Sequence, residues 1–157
     1  CARARLPLAR GTRLLGPGPG ALSRPAQHGP WTYTWQGTDT AMYPSGIPTL
    51  LDGLRTQFGR QLVSYSPGAT LTEESDIADA VEAARDADVV VLALAEPPVV
   101  EKPGDIDDLA LPEVQLRLAR AMDTTGKPVT ITLFEARPRT IRCITAESPA
   151  LLLRYPP

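Results

Sequence analysis

The run Val89-Val90-Val91-Leu92-Ala93-Leu94-Ala95 constrains the fold of this chain more than any other segment. It is apolar without interruption and is flanked by Asp88 and Glu96, so a strand formed here has no polar face to give to water. Such a strand must be covered on both sides, the situation of a central strand in a parallel sheet between two layers of helices.

The segments on either side alternate in the way that arrangement requires. Arg13-Leu14-Leu15 is a short apolar stretch stopped by Gly16-Pro17-Gly18-Pro19-Gly20, and the chain from there to Pro30 reads as loop. Ile47 to Phe58 reads as a helix, with Pro48 in the first turn, Leu50, Leu51, Leu54 and Phe58 on one face, and Gly59 closing it. Leu62-Val63-Ser64-Tyr65 reads as a strand. A second helix is expected from Thr72, with Glu73 and Glu74 in its first turn, to Asp86, its buried stripe being Ile77, Ala80, Val81 and Ala84. Pro112 opens a third, ending near Gly126. Pro128 to Phe134 is the next strand, Pro138 to Ala146 a short helix, and Ala150 to Tyr155 a last strand. The expectation is an α/β fold: an open, mostly parallel sheet flanked by helices on both faces, an αβα sandwich of flavodoxin-like type. With 157 residues, the chain has room for one domain or part of one. Residues 1–11 are taken as an extension or linker and 12–157 as an incomplete sandwich, because the chain stops at Tyr155-Pro156-Pro157 directly after an apolar strand that would need covering.

Charge narrows the partners. A net charge of −2 provides no cationic field for a polyanion, which argues against nucleic acid. No apolar run approaches the roughly 20 residues that cross a bilayer, so a membrane partner is not expected either. Cys1 and Cys143 cannot form a disulfide framework or a zinc site alone, and the compartment stays open.

In open parallel sheets the ligand site lies beyond the carboxyl ends of the strands. The loop leaving the apolar strand, Glu96 to Asp108, holds five acidic residues and three prolines, and is both stiff and acidic. Stiffness suits a catalytic carboxylate, although Asp105, Asp107 and Asp108 also fit turn caps or solvated positions. Asp-x-Asp-Asp lacks the ordered spacing of a calcium loop, and no metal or cofactor is expected. Trp31-Thr32-Tyr33-Thr34-Trp35 would, if extended, project three rings to one face, either as a platform for a ring-shaped ligand or as a packing cluster. The Gly16–Gly20 run does not keep the G-x-G-x-x-G spacing, and Pro17 and Pro19 lack the N–H groups a phosphate cradle uses. His28, the single histidine, reads as a solvated loop residue, and Cys143 as a small buried hydrophobe.

Three segments carry a resemblance: Gly29-Pro30-Trp31-Thr32-Tyr33-Thr34-Trp35-Gln36-Gly37, the run from Ala87 through Glu101-Lys102-Pro103-Gly104-Asp105 to Pro112, and Gly126-Lys127-Pro128 through Glu135-Ala136-Arg137-Pro138-Arg139. Together, in order and spacing, they resemble the second domain of family 3 glycoside hydrolases, particularly bacterial β-glucosidases and cereal exo-glucanases. Ala95 and Ala136 stand where that pattern has glycines, Val99 where it often has tyrosine, and Pro30 where it has glycine. The resemblance implies a retaining β-glucosidase whose substrate, a β-glucoside or oligosaccharide, sits between a (β/α)8 barrel and an α/β sandwich. It implies that Glu101 is the general acid/base, that Trp35 clamps the sugar, and that an aspartate of the barrel is the nucleophile. Without that barrel the chain is expected to be inactive. The parent enzyme would suit the periplasm or secretion. The rival readings are a non-catalytic sugar- or protein-binding module, a degraded remnant, or a flavodoxin-like nucleotide binder.

Overall fold

The computed structural model describes residues 6–141, 144 and 150–155. These residues form one five-stranded, wholly parallel sheet from β1 (Leu14–Leu15), β2 (Val63–Ser64), β3 (Val89–Ala95), β4 (Val129–Phe134) and β5 (Ala150–Arg154), in the order β2-β1-β3-β4-β5. The α/β expectation holds, and β3 is the centre of the sheet, paired with β1 on one edge and β4 on the other.

Every residue of β3 is buried, and alternate side chains enter different clusters, as the two-residue period of a strand requires. Val90, Leu92 and Leu94 pack with Ala80 and Ala84 of α3 (Ile77–Ala84) and Leu118 and Met122 of α4 (Glu113–Thr124). On the opposite face Val89 and Val91 pack with Leu51 of α2 (Leu50–Phe58), while Ala93 and Ala95 meet Ala26 of α1 (Arg24–His28), Ala21 and Phe134. The small residues at the carboxyl half of β3 let a loop come close. Gly18, at φ +100°, lies so near that a Cβ would overlap the Ala93 carbonyl oxygen, and the Ala93 N–H donates to the Pro17 carbonyl at 2.8 Å. The Gly-Pro run therefore serves close packing over the sheet.

Several local expectations are corrected. The helix expected from Thr72 begins at Ile77, capped by the Asp76 carboxylate on the Asp79 N–H, while the Thr70 hydroxyl accepts from Thr72 and Glu73 in a turn. α2 starts one residue after Thr49, which forms a reciprocal capping box with Asp52, so Pro48 lies outside the helix. The loop expected up to Pro30 contains α1, whose Ser23 hydroxyl caps the Ala26 N–H. Trp31 to Trp35 is not extended: Trp31 has φ +56° and its N–H donates to the Trp35 carbonyl at 3.1 Å, closing a tight loop. The helix expected over Pro138–Ala146 does not start at Pro138, since residues 138–141 are not helical and Thr140 bridges to Ala110; residues 142, 143, 145 and 146, and with them Cys143, lie outside the described residues, as does Cys1.

Candidate functional site

The loops at the carboxyl ends of β1, β3 and β4 converge on one end of the sheet, and the chemistry follows from how they are tied together. β3 leads directly into Glu96, whose side chain is almost fully buried. The carboxylate accepts from the backbone N–H groups of Ala136 (2.6 Å) and Arg137 (2.9 Å), which follow β4, and from both forks of the Arg139 guanidinium; Arg137 Nε lies 3.2 Å away. A buried carboxylate is tolerated when donors replace its water, and four groups do so here. Arg137 in turn donates to the Gly104 carbonyl, and Arg139 to the Ala110 carbonyl at 3.2 Å, so the turn after β4 holds both ends of the β3 loop. Nearby Glu135 is also buried, and desolvation pushes its carboxyl above the ordinary glutamate value against the opposing effect of hydrogen bonds from Tyr155 and the Arg139 N–H.

Glu101 lies on this loop, exposed, at the edge of a hollow of about 260 Å³ lined also by Val99, Val100, Gly104, Asp105, Ala136 and Arg137. Its backbone has φ 56°, a left-handed conformation a β-unbranched glutamate adopts only when its surroundings hold it. A short 3-10 turn, Lys102–Gly104, follows at once, with the Gly104 N–H donating to the Glu101 carbonyl at 2.8 Å. Trp35 is likewise exposed, at 55%. The two residues are joined through their neighbours: the Gln36 side chain donates to the Val100 carbonyl at 3.2 Å and accepts from the Val100 N–H at 2.9 Å.

The Trp35 loop is built on an aromatic base. Tyr33 and Tyr43 pack with ring centroids 4.8 Å apart, and His28 sits edge-on to Tyr33 at 5.8 Å. His28 is therefore half-buried against rings rather than solvated, and burial lowers its pKa. The Tyr43 hydroxyl donates to the Gly37 carbonyl at 2.8 Å, and Gly37, at φ +72°, approaches the Gly29 carbonyl so closely that a Cβ would lie 2.5 Å from its oxygen. Trp31, in the same tight loop, is 65% exposed.

Comparison with known proteins fixes what this end of the sheet belongs to. The family model of the glycosyl hydrolase family 3 C-terminal domain matches residues 2–157. The chain belongs to glycoside hydrolase family 3. It is 37% identical over 143 residues to the lysosomal beta glucosidase of Dictyostelium discoideum, covering 85% of this chain and 17% of that protein. It is 34% identical over 116 residues to a beta-xylosidase of Formosa agariphila, covering 69% of this chain and 16% of the relative. Among solved structures, the beta-glucosidase of Listeria innocua in complex with isofagomine superposes with a TM-score of 0.81 at 35% identity, over 98% of this chain and 20% of that one. The chain thus spans a fifth or less of the length of these relatives.

At two positions where the resemblance led one to expect glycine, the methyl of Ala95 is fully buried in the cluster with Ala21, Ala26, Ala93 and Phe134, and Ala136 donates its N–H to Glu96. Sequence reasoning missed Glu96, Arg137, Arg139 and Gln115 as structural elements of this end of the sheet. Gln115 is fully buried on α4 and its carboxamide brackets the Ala95 N–H (3.0 Å) and carbonyl (2.8 Å), fixing the point where β3 becomes loop. Its signal was available: with Leu118 and Met122 it keeps the helical spacing of a buried stripe. Among the described residues, no three or more His, Cys, Asp or Glu side chains are placed to hold a metal, and no helix is long and apolar enough to cross a membrane.

Proposed function

We propose that this chain is part of a retaining β-glucosidase that removes terminal β-glucosyl residues, with Glu101 as general acid/base, Trp35 as sugar clamp, and the nucleophilic carboxylate on a (β/α)8 barrel domain of the same enzyme. In this reading Glu101 protonates the leaving glycosidic oxygen and then deprotonates the water that cleaves the glycosyl-enzyme. The observation that carries it is the junction of the two loops: an exposed glutamate, held in a restricted backbone conformation at a hollow, is linked through Gln36 and Val100 to the loop of an exposed indole. The similarity to beta-glucosidases supports the choice of sugar.

Retaining chemistry needs a second carboxyl about 5–5.5 Å from the first, so the chain by itself is expected to be silent. Joined to a family 3 barrel, it is expected to hydrolyse an aryl β-glucoside faster than the matching β-xyloside. Glu101→Gln then lowers kcat by roughly 10²–10⁴ on substrates with poor leaving groups, and azide restores turnover of a dinitrophenyl glucoside as the glycosyl azide. Turnover indifferent to Glu101→Gln would overturn the assignment.

A further inference from the structure

We infer that Gln36 is a positioning residue for the proton transfer, its carboxamide setting where Glu101 stands relative to Trp35. The inference rests on the proposed function and assigns a part to a residue that touches neither bond being made nor bond being broken. Gln36 directly follows Trp35 and Val100 directly precedes Glu101, so a displacement at this junction reaches both side chains with one peptide unit between. The junction is a two-point clamp. Gln36 Oε1 accepts from the Val100 N–H at 2.9 Å while Nε2 donates to the Val100 carbonyl at 3.2 Å, which fixes the peptide planes on both sides of Val100.

The clamp has a firm anchor. The chain around Gln36 is held by the Thr34 hydroxyl on the Gly37 N–H (3.0 Å), the Tyr43 hydroxyl on the Gly37 carbonyl (2.8 Å) and the Trp31 N–H on the Trp35 carbonyl (3.1 Å). The side it holds needs holding. Glu101 has φ 56° and ψ −155°, outside the αL well, a strained backbone state that persists only where its flanks are fixed. Its following flank is fixed by the Gly104 N–H on the Glu101 carbonyl and by Arg137 on the Gly104 carbonyl. Gln36 supplies the fixing on the preceding flank, and neither Pro97 nor Pro98 can do so by a backbone N–H. A general acid must lie within hydrogen-bond reach of the oxygen it protonates, so relaxation of Glu101 toward a common backbone state would move its carboxyl off that oxygen.

The test uses the chain joined to a family 3 barrel and compares kcat/KM for phenyl β-glucoside, whose leaving group needs a proton, with that for 2,4-dinitrophenyl β-glucoside, whose leaving group does not. Gln36→Ala is expected to lower the first about 10- to 100-fold and the second less than about 3-fold, a steeper leaving-group dependence in the same sense as Glu101→Gln. Gln36→Glu, which keeps the acceptor for the Val100 N–H, is expected to recover part of the loss. Equal losses on both substrates would mean that Gln36 merely supports folding, and a rise in KM with kcat unchanged on both would mean that it serves Trp35 alone; either overturns the inference while Glu101-dependent turnover of the unaltered enzyme leaves the proposed function standing. Absence of Glu101-dependent turnover in the unaltered enzyme would remove both.

Discussion

At the scale of single residues, the groups that tie the loops together were harder to read from the sequence than the exposed side chains they hold in place. Placement in a stiff, acidic loop beyond a buried strand marked the segment but not the residue: Glu101 was singled out only by the resemblance to family 3, and Glu96, five residues earlier, looked like more of the same acidity. Its role depends on Arg137 and Arg139, some forty residues away, and no local pattern signals that a carboxylate will meet two guanidinium groups across a sheet. Asp88 is a similar case at the other end of β3. It was legible as the polar start of the apolar run, but its partner is Arg13, whose N–H and Nη2 donate to it at 2.9 and 2.8 Å. Those hydrogen bonds hold the Asp88 carboxyl at about 2, below its ordinary 3.8. Because the folded value is the lower, the stabilisation is complete above 3.8 and disappears as pH falls through about 2. Asp88→Asn is expected to destabilise the chain at pH 6 and to make the loss nearly vanish at pH 2. Urea midpoints at both pH values would check it, an equal shift at each counting against the ion pair.

At the scale of elements, hydrophobic spacing located the strands and the long helices, and local polar chemistry decided where each began. For α2 the apolar face Leu50, Leu51, Leu54 and Phe58 was readable, and Pro48 was a plausible opening residue. Thr49 prevails because its hydroxyl takes the Asp52 N–H at 3.2 Å while Asp52 takes the Thr49 N–H at 3.0 Å, satisfying two of the four orphan donors. Around Thr72 the rule misled: Thr and Glu at the right spacing suggest a helix start, but Asp76 does the same task closer to the apolar stripe of α3. α1 escaped because five residues are too few to show a period. Thr49→Ala is expected to cost about 1 kcal/mol of stability; the backbone N–H of residue 49, the larger cause of the depressed Asp52 carboxyl, stays in place, while the hydroxyl hydrogen bond that adds to it is lost, so the Asp52 pKa should rise only part of the way. Chemical denaturation reads the first effect and the acid-range titration of Asp52 by NMR the second; an unmoved Asp52 would show that the box contributes little.

At the scale of the whole molecule, the sheet ends among the described residues in β2 at one edge and in an exposed β5 at the other. Ala150–Tyr155 was readable as an apolar strand, and the exposure of such a strand follows from the absence of a covering layer beside it among the described residues. Leu151, Leu152 and Leu153 are 38%, 47% and 49% exposed, and Tyr155 45%, so both faces of β5 meet solvent. Among the described residues β5 is an edge strand with apolar side chains exposed on both faces, and such a strand is a template for pairing with another chain. The isolated chain is therefore expected to self-associate at micromolar concentration through this edge. Leu152→Lys, placing a charge on one face of β5, should lower light scattering and raise the soluble fraction several-fold, and Leu151→Lys should do so from the other face. Both side chains are already exposed, so the far-ultraviolet circular dichroism should stay as it is. If both lysine variants aggregate as readily as the parent chain, the sticky surface lies elsewhere, and the exposed Trp31, at 65%, is the next to replace.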